Sequence, residues 1–246
     1  MKGSVAIILL VVGSCLAVLP GCQSSRASQP GAADLRVTVR AEPKRGAAPF
    51  QRSVPTYDRA VVPAAPPAGD FALVDYAGLE GIVVCIEPAD RGASATRPSP
   101  PVVVTIRPAP TPPPLSAAVV GQPIEVVNAG GEPVEVYSVS EGNAFDLGVL
   151  RPGERKSQPT MSPGMIELID GRTYAPVARV CVVRGHQARL TRAGTPVTFN
   201  ALPPGDWKVA AWHERLPGAE QTLRLAPGKV RRTDLAIGVN ALPKVK

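Results

Sequence analysis

Four cysteines, two histidines and three methionines are the sulfur and imidazole ligands of this 246-residue chain. Cys181 and His186 stand in a Cys-x4-His spacing, which could bring a thiolate and an imidazole to one soft cation. A blue-copper centre needs two imidazoles and a thiolate. The second histidine, His213, is far downstream and beside Glu214. That pair could serve acid–base chemistry, but a strand-end histidine making local hydrogen bonds is the plainer reading. Ser94, Ser99, Ser116, Ser138 and Ser140 have no Gly-x-Ser-x-Gly setting and no His/Asp partners at triad spacing. Asp146 and Glu154 form a glycosidase-like carboxylate pair by count alone, with nothing to fix their separation. No glycine-rich phosphate loop leads into a helix. The chemistry-bearing residues predict a protein that is not an enzyme and carries no cofactor.

Cys85 and Cys181 sit in the strand-like runs IVVCIE and ARVCVV. In an oxidising compartment they could form a disulfide. As small apolar side chains they could equally fill a core. Both readings stand at this stage.

The elements that position these residues are short and β-type. Expected strands are Ala72–Tyr76, Gly81–Glu87, Val102–Arg107, Ile124–Asn128, Val134–Val139, Met165–Ile169 and Val177–Val183. Val197–Asn200, Trp207–His213, Thr222–Leu225 and Val230–Ile237 follow. Pro-Gly pairs at 152–153, 163–164, 204–205, 217–218 and 227–228 punctuate them. Alternating apolar residues with turn signals about every ten positions argue for an all-β sandwich architecture. Val102–Ile106 is flanked by prolines, which predicts an edge strand or an exposed arm.

Residues 23–69 are rich in Ala, Pro, Ser and Arg and read as a disordered tether. Before them, Lys2 precedes an apolar run from Val5 to Leu19 that is too short for a comfortable membrane span. It reads as a signal peptide. The net charge of +7 points to anionic envelope partners. Nucleic acid is disfavoured: aromatics are 4% of residues, and no basic stripe with stacking rings appears.

Three stretches carry resemblances. Leu19-Pro20-Gly21-Cys22 resembles a bacterial lipobox, which implies lipid on Cys22 and membrane anchoring; a plain secretory peptide is the other reading. Gly121-Gln122-Pro123, Asn128, Gly142-Asn143-Ala144-Phe145-Asp146-Leu147-Gly148 and Arg151-Pro152-Gly153-Glu154 resemble the cupredoxin (plastocyanin-like) family. That resemblance implies a Greek-key sandwich holding copper through two His, a Cys and an axial Met. Here the ligand positions fall on Val134, Asp170, Thr173 and Pro176, which cannot build that site. Cys181 and His186 have a spacing some cupredoxins use and form the alternative copper pair. Finally, Thr195–Trp207 with its Leu-Pro-Pro-Gly turn, then Trp212-His213-Glu214, resembles a carboxypeptidase-regulatory-like (transthyretin-like) β-module.

The expected organisation is a lipoprotein signal peptide at 1–22, a linker at 23–69, a cupredoxin-like sandwich at 70–183 and a transthyretin-like module at 184–246. Strand 81–87 could complete the last module, which would make the cupredoxin-like part an insertion. The expected function is a non-catalytic, metal-free binding or structural protein of the bacterial envelope. It would be lipid-anchored at the periplasmic face of the outer membrane, with an unknown protein or envelope polymer as partner. A copper-binding electron-transfer protein is one alternative. A surface carbohydrate-binding module is the other, using Trp207, Trp212, Tyr137 or Tyr174 as a platform.

Overall fold

A computed structural model describes residues 31–45, 75–90, 100–107 and 112–241. The signal peptide with Cys22 and most of the expected linker lie outside those residues. So do positions 72–74 of the first expected strand, while Asp75–Leu79 begins with a turn closed by the Asp75 carboxylate on the Ala77 and Gly78 N–H groups.

The described chain is all-β. Fifteen strands run in order: β1 (Ala33–Ala41), β2 (Ile82–Pro88), β3 (Val102–Ile106), β4 (Leu115–Val119), β5 (Pro123–Asn128), β6 (Val134–Ser138), β7 (Phe145–Leu150) and β8 (Arg155–Pro159). Then come β9 (Gly164–Asp170), β10 (Pro176–Val183), β11 (Gln187–Thr191), β12 (Val197–Leu202), β13 (Gly205–His213), β14 (Leu216–Leu225) and β15 (Val230–Ile237). A 3-10 turn at Val239–Ala241 ends the described part.

These strands build two sandwiches. The host sandwich pairs the sheet β12-β1-β15 with the sheet β11-β2-β13-β14. Its core includes Leu35, Val37, Ile86, Phe199, Val209 and Leu225. The second sandwich pairs β3-β5-β8 with β4-β10-β9-β6-β7. Its core includes Val104, Ile124, Val136, Leu150, Ile166 and Val180. All eight of its strands fall between β2 and β11, so it is an insertion in the host. Successive strands cross repeatedly between its two sheets, and β3 pairs with β5, and β4 with β10, in parallel. This is a Greek-key arrangement. β3 takes a sheet edge, where its flanking prolines cost no ladder bond.

Two boundaries of the sequence reading change. Ala33–Ala41, assigned to the tether, is β1, the central strand of a host sheet, antiparallel to β12 and parallel to β15. Ala33, Leu35, Val37 and Val39 alternate inward with Asp34, Arg36, Thr38 and Arg40, so a period of two lay hidden within proline- and arginine-rich surroundings. β2, counted within 70–183, lies between β11 and β13 of the host, so the host closes with strands from both sides of the insertion.

The chain re-enters the host at Gly185, whose φ is +154°. A Cβ there would stand 3.0 Å from the Ile86 carbonyl oxygen, so the return path passes against β2 only without a side chain.

Candidate functional site

The family's ligand positions do converge. β6 pairs with β9 through Val136 and Asp170, and β9 pairs with β10 through Ile169 and Pro176. Val134, Asp170, Thr173 and Pro176 therefore share one end of the inserted sandwich. That end is closed by a turn. The Asp170 carboxylate accepts from the Arg172 N–H at 2.9 Å, the Tyr174 N–H donates to the Asp170 carbonyl at 2.8 Å, and the Gly171 N–H to the Glu135 carbonyl at 2.8 Å. Tyr174 has a positive φ and is 77% exposed. Valine and proline offer no donor atom, and no imidazole or thiol stands among the four positions, so they do not fit a copper ion of the His2Cys type. Among the described residues no three His, Cys, Asp or Glu side chains cluster as metal ligands.

Asn128 is buried at this end and acts as a knot. Its side-chain amide donates to the carbonyls of Glu132 at 2.8 Å and Leu150 at 2.9 Å, and its Oδ1 accepts from the Gly130 N–H at 2.9 Å. Asn143 has the same role between two other loops, donating to the Ser162 carbonyl and accepting from the Met161 N–H, both at 2.8 Å. Two of the residues that carry the cupredoxin resemblance, Asn128 and Asn143, thus tie loops together.

The alternative copper pair, Cys181 and His186, has two different settings. Cys181 lies on β10 facing the seam between the sandwiches. His186 lies in the β10–β11 turn, its ring tilted 58° on Trp207 with centroids 5.7 Å apart. It does not line the cleft that Cys181 lines. Trp207 is in the host core and donates its Nε1–H to the Pro203 carbonyl. His213 is buried; its Nδ1 accepts from the Arg215 N–H at 3.1 Å, and the Glu80 backbone hydrogen-bonds to the ring. Burial pushes its pKa below the ordinary value, against the nearby Glu214 carboxylate.

The seam is where the two sandwiches bury outward faces. On β2, Ile82, Val84 and Ile86 point into the host core, yet Val83 between them is also fully buried. On β10, Val180 and Val182 point into the inserted core, yet Cys181 is buried at 3% exposure. A strand sends successive side chains to opposite faces, so these residues are covered by the other sandwich. Arg179 of β10 reaches Glu214 of the host, Nη1 to carboxylate oxygen 2.9 Å.

Two clefts flank half-buried Trp212 at this seam. The first, about 630 Å³, is lined by Trp212, Arg179, Arg192, Glu80, Glu214 and the prolines at 112–114, among others. Arg179 has its Nε buried without a hydrogen-bond partner, which costs free energy. The second, about 610 Å³, is lined by Trp212, Cys85, Cys181, Met165 and Ala210, among others. Cys85 and Cys181 are both thiols. Burial pushes them up to about 11 and about 12, respectively, with the Glu87 charge adding to the first and Cys85 to the second.

The sequence reading missed the seam: it did not single out Arg179, and it weighed Glu214 only beside His213, and Trp212 as a sugar platform. Its signal was there: IVVCI and VCVV are unbroken apolar runs, which mark strands covered on both faces.

No family model matches the chain, and no curated protein matches it. Among solved structures, a purple cupredoxin from Nitrosopumilus maritimus is 15% identical, with a TM-score of 0.28, covering 33% of this chain and 99% of that one. A reduced mutant of amicyanin is also 15% identical with a TM-score of 0.28, covering 36% and 95%. At those values the likeness adds nothing to the strand order. That order makes the inserted domain a Greek-key β-sandwich.

Proposed function

We propose that this protein is a non-catalytic, lipid-anchored binding module of the bacterial envelope, and that it meets its partner at the seam between its two sandwiches. The observation that carries the reading is the first cleft, lined by half-buried Trp212 and by the Arg179–Glu214 ion pair that bridges the two sandwiches. Its charged lining balances, Arg179 and Arg192 against Glu80 and Glu214. An occupant therefore needs acceptor oxygens and an apolar face more than net charge. The pole that binds copper in the resembling family is spent on a turn and on the Asn128 knot, so no reaction is assigned to it. The lipobox-like Cys22 supports the anchor, and the leader supports the compartment.

The test places a photo-crosslinking amino acid in the intact protein in its own cells, at Leu190 on the first cleft or at Tyr174 on the pole. These positions are 40% and 77% exposed. The seam position should give a discrete adduct that is lost in Arg179→Ala, and the pole position none. A discrete adduct from Tyr174 alone would refute the seam as the contact surface.

A further inference from the structure

Each sandwich places one cysteine on the face turned away from its own core. Cys85 alternates with the buried host residues Val84 and Ile86, and Cys181 with the inserted-core residues Val180 and Val182. Neither thiol belongs to its own sandwich's core cluster, and both line the second seam cleft. Small residues, Ala210, Gly164, Gly218 and Ala219, line it with them, beside the larger Met165 and Trp212.

We propose that Cys85 and Cys181 are a disulfide site that staples the inserted sandwich to its host and narrows the second cleft. A relaxed bond needs a near-perpendicular C–S–S–C dihedral, and both side chains face the one cleft in which it would form. The chain segment between the two cysteines holds all of the inserted sandwich but the end of β10, so the bond fixes one folded body on another.

The thiols are held protonated by burial, so the bond does not form by idle encounter and an external disulfide supplies the oxidation. Cys85 is the more exposed and the more acidic of the two. It loses its proton to solvent and attacks one sulfur of the oxidant disulfide, expelling one oxidant thiolate and forming a mixed disulfide. Cys181 then loses its proton and attacks the Cys85 Sγ, expelling the second oxidant thiolate. The protein's two thiols have given up two electrons, and the oxidant disulfide, with two protons, has become two thiols. In cells this rests on the envelope location proposed above. The chemistry itself does not, so it is tested on purified protein.

The full chain, extracted in nonionic detergent and fully reduced, is incubated with glutathione disulfide, alkylated in denaturant and digested without reduction. The expected product is one linked peptide pair joining Cys85 to Cys181, absent from Cys85→Ser and Cys181→Ala and released by dithiothreitol. Acrylamide quenching of Trp212, read against buried Trp207, should fall on oxidation of the wild type and recover on reduction. Recovery of the two cysteines as free thiols, as separate glutathione adducts, or paired with Cys22 would overturn the proposal. The wild-type peptide map decides it even where a variant fails to fold. A linked pair in the test tube with free thiols in cells would sink the oxidising location and leave the staple standing.

Discussion

Replacing Leu35 with alanine should unfold the host sandwich at markedly lower denaturant. Leu35 is fully buried on β1 and pairs in register with Phe199, which is also fully buried. Removing its isobutyl group costs the lost transfer free energy plus a term for the cavity left behind, about 2–5 kcal/mol for buried leucine. β1 is held between β12 and β15, so its backbone cannot collapse inward, which places the cost in the upper half, about 3–5 kcal/mol. In a domain of this size that corresponds to a fall of roughly 6–20 °C in Tm. Arg36→Ala, one residue along on the exposed face, is the control and should move stability by less than about 0.5 kcal/mol. Urea unfolding followed by circular dichroism, on protein released from the membrane by Cys22→Ala, measures both. If residues 33–41 were a passive tether, the two variants would behave alike. Equal and negligible effects would refute the assignment of β1 to the core, and with it the closure of the host by strands from both sides of the insertion.

Asn128→Ala should cost about 2–4 kcal/mol, read by urea unfolding, because it strips the donors from two carbonyls and the acceptor from one N–H in a buried corner; Asn128→Asp, which cannot donate either bond, should not restore it. His213 has its folded-state pKa depressed by burial. Its contribution is therefore present above the unfolded value near 6.5 and lost as pH falls through it. Stability measured from pH 7.5 to 5 should decline in the wild type and flatten over that window in His213→Gln. Cys22→Ala should move the protein from membranes to the soluble envelope fraction, since several acyl chains anchor stably where none would hold it; unchanged fractionation would rule out lipid at this residue.

What could be read in the sequence follows from which forces shape each segment. Strands such as Met165–Ile169 and Trp207–His213 alternate visibly because one face meets a core and the other water, and Pro-Gly pairs mark their ends. β8, RKSQP, has no large apolar residue and is half-exposed at a sheet edge. Its backbone ladder to β5 holds it, and side-chain pattern does not record such pairing. β11, QARLT, escaped notice for the same reason. β1 was masked by composition, since the prolines around it outweighed four inward-facing residues. The absence of copper donors at the pole was legible because it depends on residue identity alone. The seam was not, because burial there comes from a second sandwich, and only the unbroken apolar runs around Cys85 and Cys181 hinted at it.

The central proposal is that the inserted sandwich, whose loop sequences resemble those of the cupredoxin family, works without copper. Copper analysis of the purified protein, loaded with Cu(II) and then dialysed, tests this most directly when combined with its visible absorption spectrum. With Val134, Asp170, Thr173 and Pro176 at the pole, the account predicts well under one copper per chain and no intense thiolate-to-copper band. One tightly held copper per chain, with that band lost in Cys181→Ala and His186→Ala, would contradict it.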